Sequence, residues 1–427
     1  LLLAFVLCCL TQQPTAHAQS GNNDLSHLTI YNAGIGEFLE ERTVELQPGL
    51  NTIEWRSLMP KANIRTVRVL TEDAEVLRQD VTYDGMQVNN EKSPVLHLVI
   101  QNRGVRARKR VQVDYLAPSI SWRSDYALAL EPTTGGEPPT AAGLDSWVSL
   151  SNATGVDITA GTVDLVAGEI ALINDNGSSA YRDSYVNQAG AVYANVAADG
   201  ESSGSGGASY TETSGLSAFN RFTLGNDISL NANALVNRFP IFQRARLAVV
   251  QRNVFENTYE VQTLGRGGFI LLPRGLDVRL VAKNTASAPM AAGLVTIYQR
   301  TGAIAQVVGQ DRIPYTPQNS EFTVNQGRSA TLFGTRRVLE RRVVNYLNKD
   351  NNSRDKLVTR VEVVLSNRGT RPAEAFVREG IERYDDNQWM IVESSAESER
   401  LGANTVQFKV VVPAGGQMMV TYTVECE

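Results

Sequence analysis

Apolar and polar residues alternate with a period of two along most of the chain. Thr43-Val44-Glu45-Leu46, Thr66-Val67-Arg68-Val69-Leu70 and Arg110-Val111-Gln112-Val113-Asp114-Tyr115 show it, as do Leu357 through Leu365 and Val406 through Val412. Successive strand side chains point to opposite faces, so the pattern predicts half-buried antiparallel strands. Turn-forming residues punctuate the runs: Pro48-Gly49, Asp84-Gly85, Asn102-Arg103-Gly104, Asn367-Arg368-Gly369 and Pro413-Ala414-Gly415-Gly416. They supply the backbone dihedrals of tight turns. No segment sustains apolar residues at helical spacing between caps. The expected fold class is all-β, a multi-domain antiparallel β-sandwich architecture.

A chain of 427 residues exceeds one ordinary domain. Composition shifts suggest a first β domain over residues 19–92, ending in Asn89-Asn90-Glu91-Lys92. A central β-sandwich domain over 93–330 and a C-terminal β domain over 331–427 follow. The last contains a long hairpin with arms Arg337 to Leu347 and Lys356 to Leu365, joined by Asn348 to Ser353. The central domain is interrupted by Asn174 to Asn220, rich in Gly, Ser, Ala and Asn. That composition buries too little apolar surface to order itself, and a mobile insertion is expected.

The N-terminal residues bear on compartment. Leu1 to Leu10 is an unbroken apolar run, and Ala16-His17-Ala18 precedes Gln19. This is the apolar region and small-x-small cleavage site of a secretory signal. Residues 1–18 are read as signal peptide and Gln19 as the mature N-terminus, which implies a periplasmic or extracellular protein. The run is about half of a membrane-spanning helix. Cleavage would remove Cys8 and Cys9 and leave Cys426, so no internal disulfide is expected, and Cys426 is either free or paired between molecules. A net charge of −5 creates no basic field for nucleic acid.

Several phrases together resemble a known family. Leu28-Thr29-Ile30-Tyr31 and Val44-Glu45-Leu46-Gln47-Pro48-Gly49-Leu50-Asn51 resemble the N-terminal domain of the mucoidy inhibitor A-like bacterial envelope proteins. Tyr115 followed by Trp122-Arg123-Ser124-Asp125-Tyr126 is similar to the opening of that family's C-terminal domain, and Trp147 to Asp157 to one of its turns. Phe269 to Pro273, Ala292 to Tyr298, Trp389 and Val420 to Val424 continue the likeness. The resemblance implies an envelope protein built of domains of unknown function, with no established catalytic residues. Many relatives carry a long coiled coil between the two domains. Met86 to Pro94 leaves no room for one, so this chain reads as a variant without that arm.

Candidate chemistry is sparse. Gly200-Glu201-Ser202-Ser203-Gly204 matches the G-x-S-x-G hydrolase pattern, but it lies in a Ser/Gly tract with no following helix, and chance occurrence is the reading. His27, His97 and Cys426 are too few and too scattered for a structural zinc site. Asn174-Asp175-Asn176-Gly177 and Asp350-Asn351-Asn352 offer hard oxygens without calcium-loop spacing and read as turns, with a calcium ion left open. Asp385-Asp386 reads as a hairpin tip rather than an acid–base pair. No cofactor is expected. Arg103, Arg106, Arg108, Lys109 and Arg110, and likewise Arg336, Arg337, Arg341 and Arg342, read as solvated or guarded strand faces. Contact with an anionic glycan, lipopolysaccharide or protein is the functional alternative. Trp55, Trp122, Trp147 and Trp389 read as sheet packing, with a carbohydrate platform as the alternative.

The expectation is therefore a non-enzymatic envelope protein acting by binding or assembly. Arg337, Arg341 and Arg342 are its candidate partner-binding residues, and an envelope protein or surface glycan is the expected partner. Self-association through edge strands is a further expectation. A glycan-binding module and an uncharacterised hydrolase are the alternatives.

Overall fold

The computed structural model describes residues 15–16, 24–85, 87–88, 91–133, 137–167, 220–257, 273–301, 304–347, 353–381 and 388–426. Most of the expected signal peptide, the Gly/Ser-rich insertion as far as residue 219 and the hairpin tip 348–352 lie outside the described residues. So do Ser202, Asp385 and Asp386. The described residues are nearly all strand, in an all-β, sandwich-like architecture. No helix among them is long and apolar enough to cross a membrane.

Fourteen strands precede residue 231: β1 (Thr15–Ala16), β2 (Asp24–Tyr31), β3 (Ile35–Leu46), β4 (Gly49–Trp55), β5 (Arg68–Thr71), β6 (Glu75–Thr82), β7 (Gln87–Val88), β8 (Glu91–Lys92), β9 (Val95–Asn102), β10 (Ala107–Pro118), β11 (Ile120–Leu130), β12 (Ala141–Asn152), β13 (Ile158–Ala167) and β14 (Asn220–Leu230). Eleven follow: β15 (Asn237–Asn257), β16 (Arg274–Lys283), β17 (Gly293–Thr301), β18 (Ile304–Ile313), β19 (Glu321–Leu347), β20 (Ser353–Asn367), β21 (Ala373–Gly380), β22 (Trp389–Ser394), β23 (Ser398–Arg400), β24 (Thr405–Val412) and β25 (Gln417–Cys426). They form two compact units. Among the described residues, the first holds those up to 125, 147–167 and 220–241, and the second holds 126–146 and 242–426.

The first unit is a sandwich. A sheet ordered β1-β4-β9-β6 faces one ordered β14-β13-β2-β3-β10-β5. Ile53, Trp55, Leu96, Leu98 and Ile100 point inward from the smaller sheet, and Leu28, Ile30, Phe38, Val113, Tyr115 and Leu165 from the larger. Each such side chain contributes about 1.5–3 kcal/mol when buried. Phe38 stacks on Tyr115 with ring centroids 5.5 Å apart.

In the second unit the path β15-β16-β19-β20-β25-β22 is antiparallel. β21 pairs parallel to β15 and carries β24 and β23 beyond it. The sheet curls so that β21 and β24 share one core with β20 and β25: Val361, Val363, Leu365, Val377, Phe408, Val420 and Tyr422. The Phe255 ring packs on Gly334, where a Cβ atom would have no room.

One turn device recurs. Asn102, Asn152 and Asn367 end strands, Asn284 directly follows one, and all four are buried. In each, Oδ1 accepts the N–H two residues on, from Gly104, Thr154, Ala286 and Gly369. Nδ2 donates to a carbonyl of a neighbouring segment, that of Leu46, Leu230, Thr316 and Val412 respectively. An Asn side chain that mimics a backbone turn thus also fastens that turn to its neighbour.

The expected boundaries near 92 and 330 do not mark the division of the chain. β9 pairs with β4 and β6 in one sheet, so residues past 93 complete the first sandwich. β19 runs unbroken through residue 330. Local composition carries little information about such long-range pairings.

Candidate functional site

The predicted hairpin is present, and its arginines lie on β19. A bulge between Val338 and Glu340 shifts the register by one residue. Arg337 and Arg342 therefore share one face, opposite Glu362 and Val358. Arg337 pairs with Glu362 at 2.7 Å, and Arg342 with Glu340 at 2.7 Å. Both arginines are about half exposed. Exposed pairs of this kind contribute roughly 0–1 kcal/mol each. Arg341 has the opposite parity, across from Thr359.

The hairpin outruns its sheet. β16 pairs with β19 as far as Gly334, and β25 ends with Cys426 opposite Leu357. Val344–Leu347 and Ser353–Lys356 then pair only with each other among the described strands. Val343 is 55% and Leu347 65% exposed, and Leu339 at the bulge 41%. Asn345 holds the ribbon together by donating to Ser353 Oγ at 2.7 Å and Asp355 Oδ1 at 2.9 Å. Strand β25 is paired within the chain, between β20 and β22.

The four tryptophans differ in burial. Trp55 and Trp122 are buried. Trp147 and Trp389 are half-buried, with the Arg238 and Arg400 guanidiniums over their rings at 5.2 and 4.4 Å.

Three buried carboxylates form clusters that the sequence analysis did not single out. Glu40 points into the first sandwich. Its Oε2 accepts Trp55 Nε1–H at 2.7 Å, Arg42 at 3.2 Å and the Ser57 hydroxyl, and its Oε1 accepts the Tyr115 hydroxyl at 3.1 Å. The Arg42 guanidinium also covers the Trp55 ring at 4.3 Å. The Tyr115 hydroxyl in turn accepts Met59 N–H at 3.0 Å, which ties the Ser57 to Pro60 segment to the core. Burial, and secondarily the Glu40 charge, pushes the Tyr115 phenol well above its ordinary pKa.

Asp164, on the outer face of the larger sheet, is buried beneath its own partners. His27 Nε2 lies 3.0 Å from it, Arg221 2.8 Å, and the Thr223 hydroxyl donates at 2.6 Å. Burial raises the carboxyl pKa, but the bonds from His27 and Thr223 and the Arg221 charge outweigh it, and the result is a lowered pKa. Three strands, β2, β13 and β14, meet at this one group.

In the second unit, Glu379 Oε2 accepts Arg336 Nε–H at 2.9 Å and the Tyr422 hydroxyl at 2.8 Å. Its Oε1 is buried without a hydrogen-bond partner. The Tyr422 phenol is pushed well above its ordinary pKa by burial and then by Glu379. Arg336, expected on a solvated face, is 9% exposed and points into this core. Glu40 and Glu379 each follow apolar residues of their own parity, Phe38 in one case and Ala375 and Val377 in the other. A carboxylate at an apolar-parity position is the signal that marks them.

His97 bonds Thr82 Oγ1 at 2.9 Å, far in sequence from the His27 cluster, and Cys426 is buried. Among the described residues no three His, Cys, Asp or Glu side chains group to hold a metal. The oxygen-rich turns considered for calcium lie outside those residues. A small cleft lined by Ser57, Met59, Ser93 and Val156 has room for about one water molecule.

Compared with known proteins, the chain matches no protein-family model and no curated protein.

Proposed function

We propose that the chain is a secreted protein of the bacterial envelope that acts by binding, and that the free end of the β19–β20 hairpin is its contact arm. The observation that carries this reading is the pairing of Val344–Leu347 with Ser353–Lys356 past the end of β25, with apolar Leu347 exposed on it and Val343 exposed at its base beside paired charges. An isolated two-stranded ribbon is marginal on its own in water, and exposed apolar strand positions favour a partner. The buried carboxylates support a non-catalytic reading, because each is engaged in joining strands of its own unit. The apolar run at Leu1 to Leu10 and Ala16-His17-Ala18 support secretion. The expected partner is an envelope protein that pairs with the edge of β19, with Arg337 and Arg342 steering an acidic rim.

The test must spare the sheet, since Val361, Val363 and Leu365 of β20 are core residues. Replacing Val344 to Lys356 by a two-residue turn removes the ribbon and leaves the core strands. Partners cross-linked to the parent chain in envelope preparations should be lost from the shortened chain, with its thermal unfolding little changed. Equal recovery by both chains contradicts the reading.

A further inference from the structure

Three guanidiniums converge on the outer face of the second unit, and two of them make no ion pair among the described residues. Arg252 on β15 stands directly opposite Arg279 on β16. Like charges placed so are destabilising. One strand away, β21 sets Arg378 beside Glu256. Arg279 reaches across and pairs with Glu256, which occupies that carboxylate. The Arg252 guanidinium lies instead over the Phe376 ring, 5.7 Å from its centroid. Phe376 shares a face with Arg378 two residues on. Arg378 Nε donates to a neutral acceptor, Gln407 Oε1, at 2.8 Å. All three arginines are half-buried. Burial, then the Arg279 charge, with Arg252 adding to it, holds the Arg378 pKa below its ordinary value despite Glu256 and Glu399.

Folding like charges together on a half-buried face costs free energy that a bound anion would offset. We propose that Arg252 and Arg378, backed by Arg279, form a binding site for a tetrahedral oxyanion of the phosphate class. Each guanidinium presents a fork of N–H donors that fits two acceptor oxygens. Two forks call for more oxygens than a carboxylate carries and as many as a phosphate does. Phe376, 8% exposed, forms the floor between them. At the rim, Lys409 lies over the same ring at 5.9 Å and is held by Glu374 at 2.7 Å. The site uses none of the hairpin residues and stands independently of the contact arm.

The experiment is thermal unfolding of the full chain against inorganic phosphate, sulfate and acetate, with ionic strength matched by sodium chloride. Phosphate should raise the unfolding temperature saturably, sulfate should follow it, and acetate should not. Arg378→Gln should abolish the shift and Arg252→Gln weaken the affinity about tenfold, as loss of one charged hydrogen-bonding partner implies. Arg371→Gln, at an exposed arginine paired with Glu137, should keep the parent response. Should Arg378→Gln fail to fold, Arg252→Gln alone carries the comparison. No saturable shift with phosphate, an equal shift with acetate, or a parent-like affinity in the folded arginine variants would overturn the proposal.

Discussion

Each unit buries a glutamate among a tyrosine and an arginine, and the two carboxylates are not equally satisfied. Glu40 in the first sandwich receives donors from Trp55, Ser57, Tyr115 and Arg42, which occupy both oxygens. Glu379 in the second receives Arg336 and Tyr422 on one oxygen, and the other has no hydrogen-bond partner. A buried charge is tolerable in proportion to its donors, because each missing bond forfeits solvation that water would supply. The first unit therefore spreads the charge over four side chains and should tolerate the loss of one better. The second depends on a single guanidinium. The difference teaches that similar polar triads can hold a core with different margins.

Arg336→Met breaks the comparison most severely. It leaves Glu379 buried without a counter-charge and should cost about 3–5 kcal/mol in the unfolding of the second unit. Replacing both partners, with Arg336→Met and Glu379→Leu together, should restore most of that loss. Chemical denaturation of the single and double variants checks this, and equal losses in the two would show that the pair is worth more than its desolvation cost.

Matched tyrosine deletions sharpen the contrast. Tyr422→Phe removes one of two donors and Tyr115→Phe one of four, each with a cost of about 1–3 kcal/mol. The second-unit variant should sit at the upper end of that range and the first-unit variant at the lower. The same denaturant series reads both, and the reverse order would mean that Glu40 is the less well served.

The smallest effect is pH-dependent. The Asp164 pKa is lowered in the folded chain, so its ion pairs contribute fully above the ordinary carboxyl value of about 4 and fade as pH falls through the lowered one. Asp164→Asn should be less stable than the parent at pH 7, and the gap should close toward pH 3. A gap that stays constant across that range would place the effect in packing rather than charge.

Much of the architecture was legible in the chain because alternation is local. Arg110 to Tyr115 and the arms Arg337 to Leu347 and Lys356 to Leu365 fall within β10, β19 and β20. The turn at Asn367-Arg368-Gly369 is the one the sequence predicts, although its fastening to Val412 depends on a strand 45 residues away. The division into units was not legible, since it rests on parallel pairings such as β2 with β13 and β15 with β21. The charge of Arg336 suggests a surface position like that of its neighbours. Its place in the alternation, with Leu332 and Gly334, pointed inward. The charges of Glu40, Asp164 and Glu379 suggest surface positions in the same way. The arginine face has no local sequence signature, because Arg252, Arg279 and Arg378 are dispersed in sequence and gathered only by pairing.

The proposed contact arm is the part of the β19–β20 hairpin beyond β25. A photo-cross-linking residue placed at Leu347 tests it most directly, with the same probe at Val411, a comparably exposed strand position on β24, for comparison. Irradiation in intact envelopes should give a discrete adduct of one mass from position 347 and none from 411. Adducts from 411 alone, or from neither position, would contradict the claim.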